Sequence, residues 1–114
     1  MRYKVGQGIY TRIRFKDGTM PEYKRTYLIV EVESNYIKVL NVSSIEGKEA
    51  KAQMFANKTL KHYNPPFAKP SFVKLDSLTK VENPPDDYII LHGGETLNEV
   101  DLTEIISELN KYRR

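Results

Sequence analysis

Residues 23–44 read YKRTYLIVEVESNYIKVLNVSS and hold the longest β-branched and aromatic runs of the chain, broken once at Ser34-Asn35. Two such runs joined by a short polar pair predict a β-hairpin. A two-residue loop sets Val30 opposite Val39, Glu31 opposite Lys38 and, at the open end, Arg25 opposite Ser44. A three-residue loop pairs Arg25 with Ser43 instead, and Ser-Asn, a weaker turn signal than Asn-Gly, leaves both open. In the first register Leu28, Val30 and Val32 share a face with Ile37, Val39 and Asn41. Glu31 and Lys38 then form a cross-strand ion pair on the other face, worth roughly a few tenths of a kcal/mol. Ile29 and Leu40 are apolar on that second face, so it too must be covered, by a strand, a helix or a subunit. In both registers a cation meets a hydroxyl at the mouth of the hairpin.

A chain of 114 residues predicts a single domain, 1–114, large enough to bury a core without staples. No apolar run approaches the roughly 18 residues of a membrane span, and the first residues lack the apolar centre of a signal peptide. The chain has no cysteine, which excludes disulfides and thiolate metal sites and fits a reducing cytoplasm. His62 and His92 stand far apart without metal-ligand spacing. Neither a metal nor a cofactor is expected, since no P-loop, dinucleotide fingerprint, HExxH or Gly-x-Ser-x-Gly element is present.

The net charge of +3 conceals an asymmetry. Residues 1–80 carry 15 Lys/Arg against 7 Asp/Glu, whereas residues 81–114 carry 3 against 8. A basic body points to a polyanion-facing surface.

Residues 5–15 alternate, with Ile9, Thr11, Ile13 and Phe15 on one face and Tyr10, Arg12 and Arg14 on the other, as in a half-buried strand. A loop through Lys16, Asp17, Gly18 and Pro21 leads to the hairpin and gathers Lys16, Lys24 and Arg25 at one end. Beyond Ser44, the spacing of Ala52, Phe55, Ala56 and Thr59 fits a short amphipathic helix, although residues 46–52 equally fit a sheet edge. Lys48, Lys51, Lys58 and Lys61 make this the most basic segment. Tyr63-Asn64-Pro65-Pro66-Phe67 reads as a stiff, extended connection. Strands are predicted over 71–78 and 87–92, with a further short one over 78–81. The terminal helix carries an apolar stripe of Leu102, Ile105, Ile106, Leu109 and Tyr112. Asp101 and Glu104 make its capping box, and Val100 with Ile105 its hydrophobic staple. Lys111, Arg113 and Arg114 at its end suit the helix dipole. The fold class is therefore mainly β (α+β), a small, strongly curved barrel with a C-terminal helix and a short middle one.

Arg25 beside a serine can perform phosphate chemistry. A guanidinium grips phosphate through bidentate, charge-assisted bonds and stabilises charge on a pentacoordinate phosphorus. RNA brings its own nucleophile, the 2′-hydroxyl, so such a site requires no metal and no histidine.

The order Gly6-x-Gly8-Ile9-Tyr10, then Tyr23-Lys24-Arg25-Thr26-Tyr27-Leu28-Ile29-Val30, then Asn41-Val42-Ser43-Ser44, then Ser71-Phe72-Val73-Lys74-Leu75-Asp76-Ser77-Leu78 resembles the MazF/PemK toxin family. The resemblance implies an SH3-like barrel, usually a homodimer, acting as a metal-independent, sequence-selective endoribonuclease on single-stranded RNA and held in check by a cognate antitoxin. It places Arg25 at the catalytic arginine and Ser43 or Ser44 at the assisting hydroxyl. Lys24, Lys16, Arg14, Lys48 and Lys51 are then the RNA-binding cations. The chain departs from the family at Thr26, where proline usually follows the arginine, in having serine at the hydroxyl position, and in residues 86–94, which look inserted. A non-catalytic SH3-like module that binds nucleic acid or protein, or a topoisomerase-directed toxin of similar architecture, are the alternatives.

Overall fold

In the computed structural model, which describes residues 2–15 and 17–112, the hairpin is the centre of the sheet. Strand β2 (Arg25–Val32) and strand β3 (Tyr36–Ser44) pair antiparallel. The two-residue loop is present: Glu33 N donates to Tyr36 O at 2.9 Å, and Glu31 lies opposite Lys38 with a 3.6 Å ion pair. Past that point the register slips, because a bulge between Ile29 and Glu31 leaves Val30 unpaired. Val39 therefore faces Ile29, not Val30, and Leu28 faces Leu40. One extra residue turns every residue before it to the opposite face relative to β3.

Both faces of the hairpin are buried. Leu28, Leu40 and Val42 join Phe67, Val73 and Leu75 in one core, closed by Ile105 and Leu109 of the terminal helix. Tyr27, Ile29, Ile37 and Val39 meet Tyr3, Ile9 and Ile13 in a second core. Ile29 and Leu40, expected to need a cover, are both fully buried within the chain itself.

Around the hairpin the described residues form β1 (Gly8–Thr11), β4 (Asn57–Thr59), β5 (Ser71–Lys74), β6 (Thr79–Glu82) and β7 (Ile89–Ile90). The antiparallel sheet runs β4-β5-β3-β2-β1-β7, with β6 also on β3. It is strongly curved and not closed. The radius of gyration, 13.2 Å, matches the roughly 13 Å expected of a compact chain of this length.

Several local expectations are corrected. The first strand spans only Gly8–Thr11 of the alternating segment. The middle helix is a single turn, α1 (Glu49–Ala52). Asn57–Thr59, expected in its last turn, instead pairs with Phe72 to Lys74 as a strand, and Phe55, 88% exposed, packs in no core. The proline segment is not extended but folds back, with Phe67 N donating to Tyr63 O at 2.9 Å. The strand expected over 71–78 ends at Lys74 and gives way to a 3₁₀ turn, Leu75–Ser77. The strand expected over 87–92 is two residues long before a second such turn.

The terminal helix, α2 (Glu99–Tyr112), buries the expected stripe through Ile105 and Leu109, with Leu102 and Tyr112 partly buried. Its cap, however, is Asn98, whose Oδ1 accepts the N–H groups of Val100 (2.9 Å) and Asp101 (3.3 Å). Asp101 is buried, and its carboxylate accepts the His62 N–H at 2.5 Å, fastening the helix to the 60s loop. Val100 is exposed and staples nothing. Arg113 and Arg114 lie outside the described residues. Asn98→Ala should lower stability by about 1 kcal/mol in urea unfolding, while Val100→Ala should change it by less than about 0.5 kcal/mol.

Candidate functional site: a cationic cavity at a fork in the sheet

Strand β3 changes partner along one edge. Its C-terminal end pairs with β5 (Val42 with Val73), and its N-terminal end pairs with β6 (Val39 with Thr79). Between them Asn41 has no strand partner on that edge. Its N–H donates to Ser77 Oγ at 2.8 Å, and the Ser77 hydroxyl donates in turn to Lys74 O at 2.6 Å. A backbone donor left unpaired there would cost about 1–3 kcal/mol, so the 3₁₀ turn carrying Ser77 completes the edge. The fork it spans opens a cavity of about 270 Å³.

Lys74, Asp76, Ser77 and Asn41 form the fork side of this cavity; Arg25, Arg14 and Phe15 form the other. Phe15 is positioned by a tight turn in which Phe15 N donates to Thr19 O (2.8 Å) and Gly18 N donates to Phe15 O (2.9 Å). Gly18 takes a positive φ of 89° there, which a residue without Cβ adopts at little cost. Arg14 Nη1 donates to Gly18 O at 3.0 Å. Hydrogen bonds from the Thr19 hydroxyl and N–H hold the Asp17 carboxyl below its ordinary range and brace the same turn. The guanidinium of Arg25 lies 5.4 Å from the Phe15 ring centroid, a cation–π contact that orients its plane.

Three cations, Arg14, Arg25 and Lys74, line this cavity. Lys74 is held below the ordinary lysine range, first by burial and then by repulsion from Lys48, Arg25 and Lys51; Asp76 offsets this in part. Several other lysines are ion-paired. Lys58 and Lys61 both reach Glu104, at 3.3 and 3.5 Å, and Lys80 reaches Glu82 at 3.5 Å. Among the described residues, Arg14, Arg25, Lys48, Lys51 and Lys74 have no carboxylate within ion-pair distance. The basic segment read from the sequence is thus divided: Lys48 and Lys51 crowd Lys74, while Lys58 and Lys61 are tied to the helix.

The remaining expected residues fall as follows. The register of the open half, continued one pair beyond Thr26–Val42, sets Arg25 opposite Ser43 and turns Ser44 to the other face. Lys48 Nζ donates to Ser43 Oγ at 3.0 Å, and Ser44 Oγ accepts Glu46 N at 3.3 Å. Neither serine lines the Arg25 cavity; both belong to a second one of about 320 Å³. Lys24 Nζ stands 5.9 Å from the Tyr10 ring centroid and does not line the first cavity. Lys16 lies outside the described residues. Lys74 and Asp76 were missed as site residues, although the alternation of SFVKLDSL sets Lys74 on the face of the fully buried Phe72. A lysine on a buried face was the available signal. Among the described residues no three His, Asp or Glu side chains cluster as metal ligands, and no helix is long and apolar enough to cross a membrane. No protein-family model matches the chain, and no curated protein is significantly similar to it.

With its folded pKa lowered, charged Lys74 costs stability at neutral pH, and the cost disappears as pH rises through that pKa towards the ordinary lysine value. Lys74→Met should therefore raise the melting temperature at pH 7 and low salt, with an advantage that shrinks as pH rises towards the ordinary lysine range. Adding inorganic polyphosphate should raise the wild-type melting temperature more than that of the variant, as measured by scanning calorimetry.

Proposed function

We propose that this protein is the toxin of a toxin–antitoxin pair, a metal-independent endoribonuclease that cleaves single-stranded RNA at the Arg25 cavity. The observation that carries the proposal is that Arg14, Arg25 and Lys74 line one cavity without a carboxylate at ion-pair distance, with Lys48 and Lys51 near enough to repel Lys74. Mutually repelling cations held in place are matched by a polyanion, and phosphates relieve the repulsion on binding. The exposed ring of Phe15, which lines the same cavity, offers a face on which an unpaired base stacks. That favours single strands over a duplex.

In the proposed reaction Arg25 holds the scissile phosphate by paired N–H bonds. The Asp76 carboxylate takes the proton of the 2′-hydroxyl as its oxygen attacks phosphorus. The bond to the 5′-oxygen breaks, and Lys74, whose lowered pKa makes its ammonium a better acid near neutral pH, protonates that leaving oxygen. The products are a 2′,3′-cyclic phosphate and a 5′-hydroxyl. Arg25 stabilises the extra negative charge of the pentacoordinate state. Arg14, Lys24, Lys16 and Lys51 position flanking phosphates. A homodimer in the cytoplasm, silenced by an antitoxin that covers this cavity, completes the proposal.

Arg25→Ala should reduce cleavage of single-stranded RNA by about 10²–10³-fold with an unchanged circular dichroism spectrum, and wild-type cleavage should persist in EDTA. Equal cleavage by variant and wild type would remove Arg25 from the site. Salt-sensitive RNA retention without any product would replace the enzyme by the binding module.

A further inference from the structure

Three hydroxyl-bearing side chains line the cavity at the fork: Tyr27, Ser77 and Thr79. Two of them have given their hydrogens to the protein itself. Ser77 Oγ donates to Lys74 O at 2.6 Å, and Thr79 Oγ1 donates to Ser77 O at 2.9 Å. Elsewhere in the chain the hydroxyls of Tyr3 and Tyr36 are likewise given to Pro85 O and to the Glu31 carboxylate. The Tyr27 hydroxyl has no protein acceptor among the described residues, although Tyr27 is only 6% exposed. A buried donor with nothing to donate to is costly, unless what enters the cavity supplies the acceptor.

The sheet puts this hydroxyl beside the cations. Tyr27 stands two residues from Arg25 on β2, so both side chains leave the same face, and it lies opposite Asn41 at the fork. Strand β1 ends at Thr11, opposite Arg25, so Ile13 lies past the ladder and its N–H is given to the Tyr27 oxygen. That bond occupies the oxygen as an acceptor and leaves its hydrogen to donate. Ile13 and Arg25 line the same cavity. Burial raises the Tyr27 pKa, against the opposing Arg25 charge and Ile13 N–H, so the phenol is a neutral donor at physiological pH. Neutrality suits the place. Lys48, Arg25 and Lys51 already repel Lys74, and a phenol adds a directional donor without adding charge. A phosphate offers the acceptor that is missing: the guanidinium fork takes its two non-bridging oxygens, and each keeps a lone pair for a further donor.

We infer that Tyr27 is a further catalytic residue of this cavity, its hydroxyl donating to one non-bridging oxygen of the phosphate held at Arg25 and keeping its own proton throughout. This rests on the reading of the Arg25 cavity as a phosphate site. The test is an NMR titration with a 2′-deoxy dinucleotide, which carries a single phosphate and cannot be cleaved, and with its two phosphorothioate diastereomers. Each diastereomer replaces one non-bridging oxygen by sulfur, a weak acceptor. Paired guanidinium N–H groups meet both oxygens alike, so a preference between the diastereomers reports the third donor. The wild type should bind one diastereomer about 10-fold more weakly than the other, the order expected for one hydrogen bond to a charged acceptor. Tyr27→Phe, which removes the hydroxyl and keeps the buried ring, should bind the unmodified dinucleotide about 10-fold more weakly and the two diastereomers equally. Equal affinities for the diastereomers in the wild type would overturn the inference without any variant. A preference that persists in Tyr27→Phe, with all three ligands weakened by one factor, would overturn it too and leave the hydroxyl only its bond to Ile13. Absence of wild-type binding to all three would remove the phosphate reading and this inference with it, whereas binding without a preference removes Tyr27 alone.

Discussion

The N–H of Asn41, given to the side chain of Ser77 instead of to a neighbouring strand, is the bond on which the site depends. It allows one edge of β3 to serve two strands, β5 and β6, without leaving a half-buried donor unpaired. A continuous strand there would close the fork and remove the cavity. The 3₁₀ turn that supplies Ser77 also carries Asp76 to the cavity wall and ends β5 at Lys74. The ladder, the turn and the chemical groups are thus consequences of a single exchange of hydrogen-bond partners.

The bulge at Val30 has a comparable reach. By shifting the pairing of Arg25–Ile29 by one residue, it sets Leu28 against the helix-side core and Tyr27 and Ile29 against the opposite one. Arg25 follows Tyr27 by alternation, which brings it to the face where Asn41 and Lys74 are found. With the unbulged register, alternation would carry the guanidinium to the other face. A side chain at the end of β2 therefore owes its direction to an irregularity five residues away.

This explains what could be read from residue order and what could not. The hairpin, the Glu31–Lys38 pair of its two-residue-loop register and the stripe of the terminal helix were legible because each depends on local spacing. The bulge was not, since Leu28 to Val32 is apolar enough on both faces to satisfy either register. The middle helix misled for the opposite reason: Ala52, Phe55 and Ala56 fit a helical template, but an available edge of β5 takes Asn57–Thr59 as a strand. Asp101 is a chemically valid cap, yet the His62 N–H claims its buried carboxylate and Asn98 caps the helix instead. At the candidate site, Arg25 was visible through its place at the hairpin mouth. Lys74 and Asp76 were not, because their neighbourhood is made by the fork and not by any sequence interval.

The central claim is that RNA phosphate sits at the fork between Arg25 and Lys74. Its most direct test is a crystal structure with a short single-stranded RNA carrying one 2′-deoxy nucleotide, which cannot react, at the cleaved position. The account predicts a phosphate within hydrogen-bond distance of both the Arg25 guanidinium and Lys74 Nζ, with the preceding ribose turned towards Asp76. An RNA backbone tracking along Lys58 and Lys61 instead, with the fork empty, would contradict it.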